Sequence, residues 1–171
     1  MSQLRRFGGL LDMTPVVKNL LLLNILVYVA CILYPNLTDV FAMHYPSNPD
    51  FKPWQLVTHM FTHGGLMHIF FNMYALYNFG SILENERVLG SKRFAFLYLF
   101  SGLGAIFFHL AISASIAYYH TGTIFFNNDT LAPLQLSQDA IKSLSEIYYQ
   151  SLVGASGAIY GLLAAFGFLF P

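Results

Sequence analysis

Four long stretches of this sequence carry no charged side chain, and they constrain the fold more than any other feature. A helix needs about 17–25 mostly apolar residues to cross a bilayer, and each stretch reaches or approaches that length. Only 9% of the residues are charged, whereas soluble domains carry about 25%. We therefore predict an all-α, polytopic transmembrane helix bundle, one membrane domain over residues 1–171, with spans at 19–34, 66–83, 94–119 and 150–171.

Basic residues are distributed unevenly among the connections between these stretches. The chain has eight Lys and Arg residues. Only Lys52 lies between the first and second spans, and only Lys142 lies between the third and fourth. Lys and Arg favour the cytoplasmic side of a membrane, so we predict a cytoplasmic N-terminus and outer loops at 35–58 and 120–149. The six residues that set this orientation are Arg5, Arg6, Lys18, Arg87, Lys92 and Arg93.

Net charge and cysteine content narrow the classes of partner and cofactor. The formal net charge is zero, which gives no electrostatic argument for a nucleic-acid partner. Cys31 is the single cysteine, and it excludes an internal disulfide and a metal site made of cysteines alone. The expected partner is the lipid bilayer itself, and no metal or organic cofactor is expected.

The segment Gly154-Ala155-Ser156-Gly157-Ala158 places one serine among small residues at the head of the fourth stretch. A nucleophilic serine needs a base to take its proton and donors for the oxyanion that forms. Gly154 and Gly157 are expected to leave room for a substrate backbone. Tyr160 is four residues from Ser156, so both share a helix face. The alternative is a packing motif in which Gly157 and Gly161 admit another helix and Ser156 bonds its own backbone.

His68 and Asn72 are also spaced four residues apart, at the head of the second stretch. A neutral imidazole and a carboxamide each supply an N–H donor, and together they would form an oxyanion hole near Ser156. A metal site of His59, His63 and His68 is the competing interpretation. A third interpretation, which we prefer for His59 and His63, is that these two side chains hydrogen-bond to loop backbone.

These motifs resemble the rhomboid family of intramembrane serine proteases in their order, spacing and membrane side. The resemblance rests on the H-x-x-x-H-x-x-x-x-H-x-x-x-N pattern from His59 to Asn72, on residues 79–84 and 90–94, and on the Gly-x-Ser-Gly of residues 154–157. It covers the chain from the second stretch onward.

The resemblance implies an intramembrane serine endopeptidase that cleaves transmembrane segments of membrane proteins. Ser156 would be the nucleophile, with His68 and Asn72 stabilising the oxyanion. His63 would brace the outer loop, and Tyr160 would pack under the catalytic base. The implied location is a bacterial cytoplasmic membrane. The distribution of basic residues independently predicts that Ser156 and His68 both lie near the outer face.

The family's general base is a histidine on a helix after the serine-bearing span, and residue 171 precedes that helix. We therefore expect the sequence to be the N-terminal part of a longer protease, with no activity on its own. The alternative is a non-catalytic rhomboid-like protein that binds transmembrane helices. A third interpretation is a small metal-handling transporter.

Overall fold

The computed structural model describes residues 13–171 and shows an all-helical chain over that range. Arg5 and Arg6, which support the predicted orientation, and the first part of the predicted domain lie outside the described residues. The helices are α1 Pro15–Leu33, α2 Asn36–Phe41, α3 Gln55–Thr58 with a 3₁₀ turn His59–Phe61, α4 Leu66–Ala75 with a π-helical turn Leu76–Gly80, α5 Ser81–Leu83, α6 Gly90–Thr121, α7 Asn128–Leu131, α8 Gln138–Tyr149 and α9 Ser156–Leu169.

Helices α1 and α6 are long and apolar enough to cross a membrane, and they correspond to the first and third predicted spans. The second predicted span is continuous helix from α4 through the π-helical turn to α5. The fourth begins only at Ser156, because Leu152 and Gly154 are in extended and left-handed backbone before it, and α9 has 14 residues. Two of the four predicted spans thus meet the criteria for a membrane-crossing helix, and the other two stay predictions.

The centre of the bundle is the close contact between α6 and α9. A Cβ added at Gly157 would lie 2.7 Å from the Cβ of Ala105, and one added at Gly161 would collide with the Ser101 side chain. Small residues at this spacing let two helix backbones approach closely, so the packing predicted for Gly157 and Gly161 is confirmed. The surrounding core is apolar and consists of Val17, Leu21, Met60, Leu76, Leu83, Phe94, Tyr98, Ala155, Ala158, Ile159 and Leu162.

A buried carboxylate, that of Glu84, ties α1 to the start of α6. Its two oxygens accept hydrogen bonds from the backbone N–H groups of Val16 and Val17, both at 2.8 Å, and Oε1 also accepts from Ser91 Oγ at 2.7 Å. The first N–H groups of a helix lack intrahelical partners and carry partial positive charge. Glu84 therefore caps α1 from a position 68 residues further along the chain.

Glu84→Gln is expected to lower the free energy of unfolding by about 2–3 kcal/mol. A carboxamide has one acceptor oxygen, so its NH₂ group would face a backbone N–H and leave it unpaired in the interior. Thermal unfolding in detergent, followed by circular dichroism, measures the change. Glu86→Gln, at an exposed position of the same turn, is the matched control, and equal effects of the two variants would contradict the capping role.

Residues 122–149, here called the cap, pack on the end of α6 that lies towards Ser156. Phe126 and Leu144 of the cap form one buried cluster with Ala117 of α6 and Tyr45 of the loop before α3. Tyr45 Oη donates to the carbonyl oxygen of Ile124 at 2.8 Å, and Asn48 Nδ2 donates to that of Tyr148 at 2.7 Å. The cap and the loop before α3 are therefore held together by both apolar and polar contacts.

Candidate active site

The segment before Ser156 is held in place by main-chain hydrogen bonds. Met43 and Leu152 form an antiparallel bridge in which each N–H donates to the other carbonyl at 2.9 Å, and Gly154 N donates to the carbonyl oxygen of His59 at 2.8 Å. Ser156 follows as the first residue of α9. Two distant loop segments thus fix the position of the serine.

Gly154 lies where the serine and His68 come together. Its φ is +119°, in the left-handed region that disfavours side chains. A Cβ at Gly154 would lie 2.6 Å from His68 Nε2 and 3.7 Å from Ser156 Oγ. We expected Gly154 and Gly157 to make room for a substrate backbone. The structure instead gives those spaces to His68 and to Ala105, because α4 and α6 approach the two glycines closely.

A cavity of about 380 Å³ opens beside Ser156 between α4 and α9. It brings together Ser156, His68, Asn72 and Tyr160, whereas His63, Gly154 and Gly157 do not line it. Sequence reasoning missed its apolar lining, which is Met67, Phe71, Ile159 and Leu163. The spacing of these apolar residues could have revealed them. They form two pairs four residues apart, Met67 with Phe71 and Ile159 with Leu163, and the polar pairs have the same spacing.

Hydrogen-bond donors surround the open side of Ser156. Asn72 is buried, and its Nδ2 donates to the carbonyl oxygen of His68 at 2.8 Å, which fixes the carboxamide next to the cavity. The first N–H groups of α9, which begins at Ser156, lack helical partners and point towards its N-terminus. The helix dipole adds partial positive charge at this end. The arrangement can stabilise negative charge that develops next to Ser156 Oγ.

His63 lies behind His68 and is buried without a polar partner. Neither of its ring nitrogens has a hydrogen-bond partner within residues 13–171. The two imidazole rings meet edge to face, with centroids 5.1 Å apart and planes at 69°. The predicted backbone hydrogen bond is not formed at hydrogen-bonding geometry by His63: the backbone of Phe61 has the smallest of the three effects on its pKa, and the ring packs against His68. For His59 it is confirmed, because Nδ1 donates to the carbonyl oxygen of Gln55 at 2.8 Å.

Burial, and to a lesser degree the neighbouring His68, lowers the pKa of the His63 imidazole from 6.5 to about 4. The unfolded chain takes up this proton below about pH 6.5, whereas the folded protein stays neutral until about pH 4. Stability is therefore expected to fall by about 1–3 kcal/mol as the pH decreases through that window. Burial also lowers the pKa of His59, which acts in the same direction.

Unfolding temperatures in detergent, measured across that pH window, check the expectation. His63→Phe should flatten the pH dependence, since the uncharged ring keeps the packing against His68 and cannot take up a proton. An unchanged slope in His63→Phe would show that the destabilisation comes from other groups.

The metal-site interpretation required His59, His63 and His68 to converge. Within the part of the chain that the structure describes, no three His, Cys, Asp or Glu side chains are close enough together to hold a metal ion. His109 Nε2 lies 3.3 Å from Ser113 Oγ, one turn further along α6, and His109 does not line the cavity beside Ser156.

Comparison with known proteins points to one family. The Rhomboid domain model matches residues 50–171. The proteins named rhomboid protease GlpG from Salmonella newport and Salmonella typhimurium are each 33% identical over 91 residues, which is 52% of this chain and 32% of the relative. RHOMBOID-like protein 6, mitochondrial, from Arabidopsis thaliana is 35% identical over 114 residues, which is 67% of this chain and 25% of the relative.

The match thus spans about a third or less of the length of these curated relatives. The matched region nevertheless includes α3 to α9, and with them every residue that lines the cavity beside Ser156. Apolar helices long enough to cross a membrane agree with an integral membrane protein. This chain belongs to the rhomboid family.

Proposed function

We propose that this chain carries the nucleophile and the oxyanion-binding groups of an intramembrane serine endopeptidase that cleaves transmembrane segments of membrane proteins. The observation that carries the proposal is the cavity shared by Ser156, His68 and Asn72 at the N-terminus of α9. Several relatives are named as proteases, which supports the same class of activity.

In the proposed reaction Ser156 Oγ attacks the carbonyl carbon of the scissile peptide bond. Its proton passes to a general base, which the family resemblance assigns to a histidine on a helix that follows α9. The peptide oxygen becomes an oxyanion and accepts hydrogen bonds from His68 and Asn72. The C–N bond then breaks, the amine leaves with the proton, and water hydrolyses the acyl-enzyme on Ser156.

The surroundings of Ser156 suit the stabilisation of charge. Phe71, Ile159 and Leu163 keep the cavity wall apolar, and an N–H donor acts more strongly on an anion in such surroundings than in water. His63 would hold the ring of His68 in place by packing against it. Tyr160, which lines the cavity, would pack under the general base. Gly154 would keep His68 close to Ser156.

The proposed location is a bacterial cytoplasmic membrane, with four spans over the domain 1–171 and a cytoplasmic N-terminus. Ser156 then lies near the outer face, as do the cap and the loop before α3. Substrates would be proteins with a transmembrane segment that can reach the cavity between α4 and α9. Both helices carry their polar side chains within their first two turns, so water has a short path to Ser156.

Covalent labelling with a fluorophosphonate probe tests the assignment of the nucleophile. The protein from its complete reading frame, reconstituted in lipid vesicles, should form an Oγ–phosphorus bond on Ser156 with loss of fluoride, located by mass spectrometry. Ser115, an exposed serine of α6 that donates only to the carbonyl of Ala111, should stay unlabelled. Labelling at another serine, or none at all, would contradict the proposal.

Asn72→Ala is expected to lower kcat about 10²–10³-fold through loss of one oxyanion donor. Asn78→Ala is a closely matched control. Asn78 Nδ2 donates to the carbonyl of Tyr74 at 2.7 Å, the same local bond that Asn72 makes to His68. Both variants lose that bond, and only Asn72 lines the cavity. Equal kcat values for the two variants would reduce Asn72 to a helix-stabilising residue.

A further inference from the structure

We propose that an apolar groove in the cap binds an acyl chain of a lipid, in the leaflet nearer Ser156. The groove has a volume of about 360 Å³ and lies between the connection after α7 and one side of α8. The side chains that line it are aliphatic apart from one hydroxyl group, and main-chain polar atoms form part of its surface; the lining residues are Leu131, Ala132, Leu134, Leu136, Ile141 and Ser145. This inference does not depend on proteolysis and would hold for a non-catalytic protein.

The length of α6 places the cap at the boundary of the bilayer. Its 32 residues extend about 48 Å, whereas the hydrocarbon core is about 30 Å thick. Exposed Lys92 and Arg93 at its first turn mark one boundary. The other boundary lies between Ser113, about 20 residues further along, and Tyr119, where the predicted span ends. Ala117, on which the cap core is built, therefore lies at that boundary.

Exposed aromatic side chains occur at the same level. Tyr119 is 83% exposed next to Tyr118, and Phe125 and Tyr149 of the cap are 63% and 62% exposed. Tyrosine and other aromatic side chains concentrate at membrane–water interfaces, where an apolar ring and a polar hydroxyl are both satisfied. The concentration of exposed aromatic side chains at this level is typical of a membrane interface and indicates contact with lipid.

Helix α8 has one side buried in the cap, one side that lines the groove and one side that is exposed outside it. Ala140 and Leu144 are buried in the cap, while Ile141 and Ser145 line the groove one helical step away. Lys142, about 100° further round the helix, is exposed outside the groove. Ile141 is 45% exposed although it is aliphatic. An acyl chain in the groove would cover this surface and continue the lipid contact of α6.

Tryptophan fluorescence in vesicles of brominated phosphatidylcholine tests the groove. Trp54 is the single tryptophan, so Trp54→Phe gives a silent background for Ile141→Trp and, as matched control, Lys142→Trp. Bromine in the upper half of the acyl chains should lower the fluorescence of Ile141→Trp about twofold, because interfacial apolar groups reach about 5–10 Å into the boundary. Lys142→Trp should keep its fluorescence.

Leu134→Trp, on the opposite wall of the groove, repeats the measurement if Ile141→Trp does not fold. Quenching confined to the groove positions supports acyl-chain binding. No quenching at either groove position overturns it, whether the groove is open to water or covered by a second copy of the chain. Equal quenching at Lys142→Trp also overturns it, because the whole surface of the cap would then be in contact with lipid acyl chains.

Discussion

Replacing Ser156 by alanine is expected to abolish cleavage of a single-span substrate, by several orders of magnitude in kcat. Without Oγ the scissile carbonyl has no nucleophile, and no acyl-enzyme forms. The oxyanion donors and the cavity remain, so substrate binding should persist with little change. The measurement uses the protein from its complete reading frame in lipid vesicles, with cleavage of a labelled single-span protein followed by gel electrophoresis.

Ser115→Ala serves as the control, since it removes an exposed hydroxyl group from α6 and should cleave like the wild type. Undiminished cleavage by Ser156→Ala would show that Ser156 is not the nucleophile. A wild-type protein that binds transmembrane peptides, yet neither cleaves them nor reacts with the fluorophosphonate, would support the non-catalytic alternative.

Gly154→Ala is expected to damage both the fold and the site. The new methyl group would sit 2.6 Å from His68 Nε2, and φ of +119° strains any side chain. Strain and overpacking together should lower the free energy of unfolding by about 2–4 kcal/mol. His68 has to move away from Ser156, so kcat should fall about a hundredfold.

Gly65→Ala is the matched control for this prediction. Gly65 lies just before α4 in extended backbone, with φ of 173°, and a Cβ there meets nothing within 4 Å. It should therefore preserve both the unfolding temperature and kcat. If Gly154→Ala behaves like Gly65→Ala in both measurements, the close contact between Gly154 and His68 does not determine the geometry of the site.

Local spacing predicted the residues that share the cavity. Pairs four residues apart on a helix lie on one face, so the sequence indicated that Ser156 goes with Tyr160 and His68 goes with Asn72. Charge counting put both pairs at the same membrane side. These two rules predicted the two faces and their common side, and the structure shows that the faces meet across one cavity.

Contacts between distant segments were outside the reach of such rules. Glu84 lay in an apparently simple turn, and nothing local indicates that its carboxylate caps α1. The sequence showed Gly154 to be small without showing that His68 occupies the space. His63 was expected to bond to loop backbone, and only the packed structure shows its ring against His68.

The bridge between Met43 and Leu152 also bears on how freely the chain can vary in length. Both of its hydrogen bonds, and the one from Gly154 to His59, use main-chain groups, so they do not depend on which side chains the neighbouring segments carry. The segment before Ser156 is thus fixed by main-chain groups that follow the cap in the sequence, while the cap itself is tied to the loop of Met43 through Tyr45 and Asn48. Residues added to or removed from the parts of the 122–149 segment that do not contact Tyr45 or Asn48 are therefore expected to leave the serine where it is. A segment of this kind is suited to acquire new sequence without disturbing the chemistry beside it.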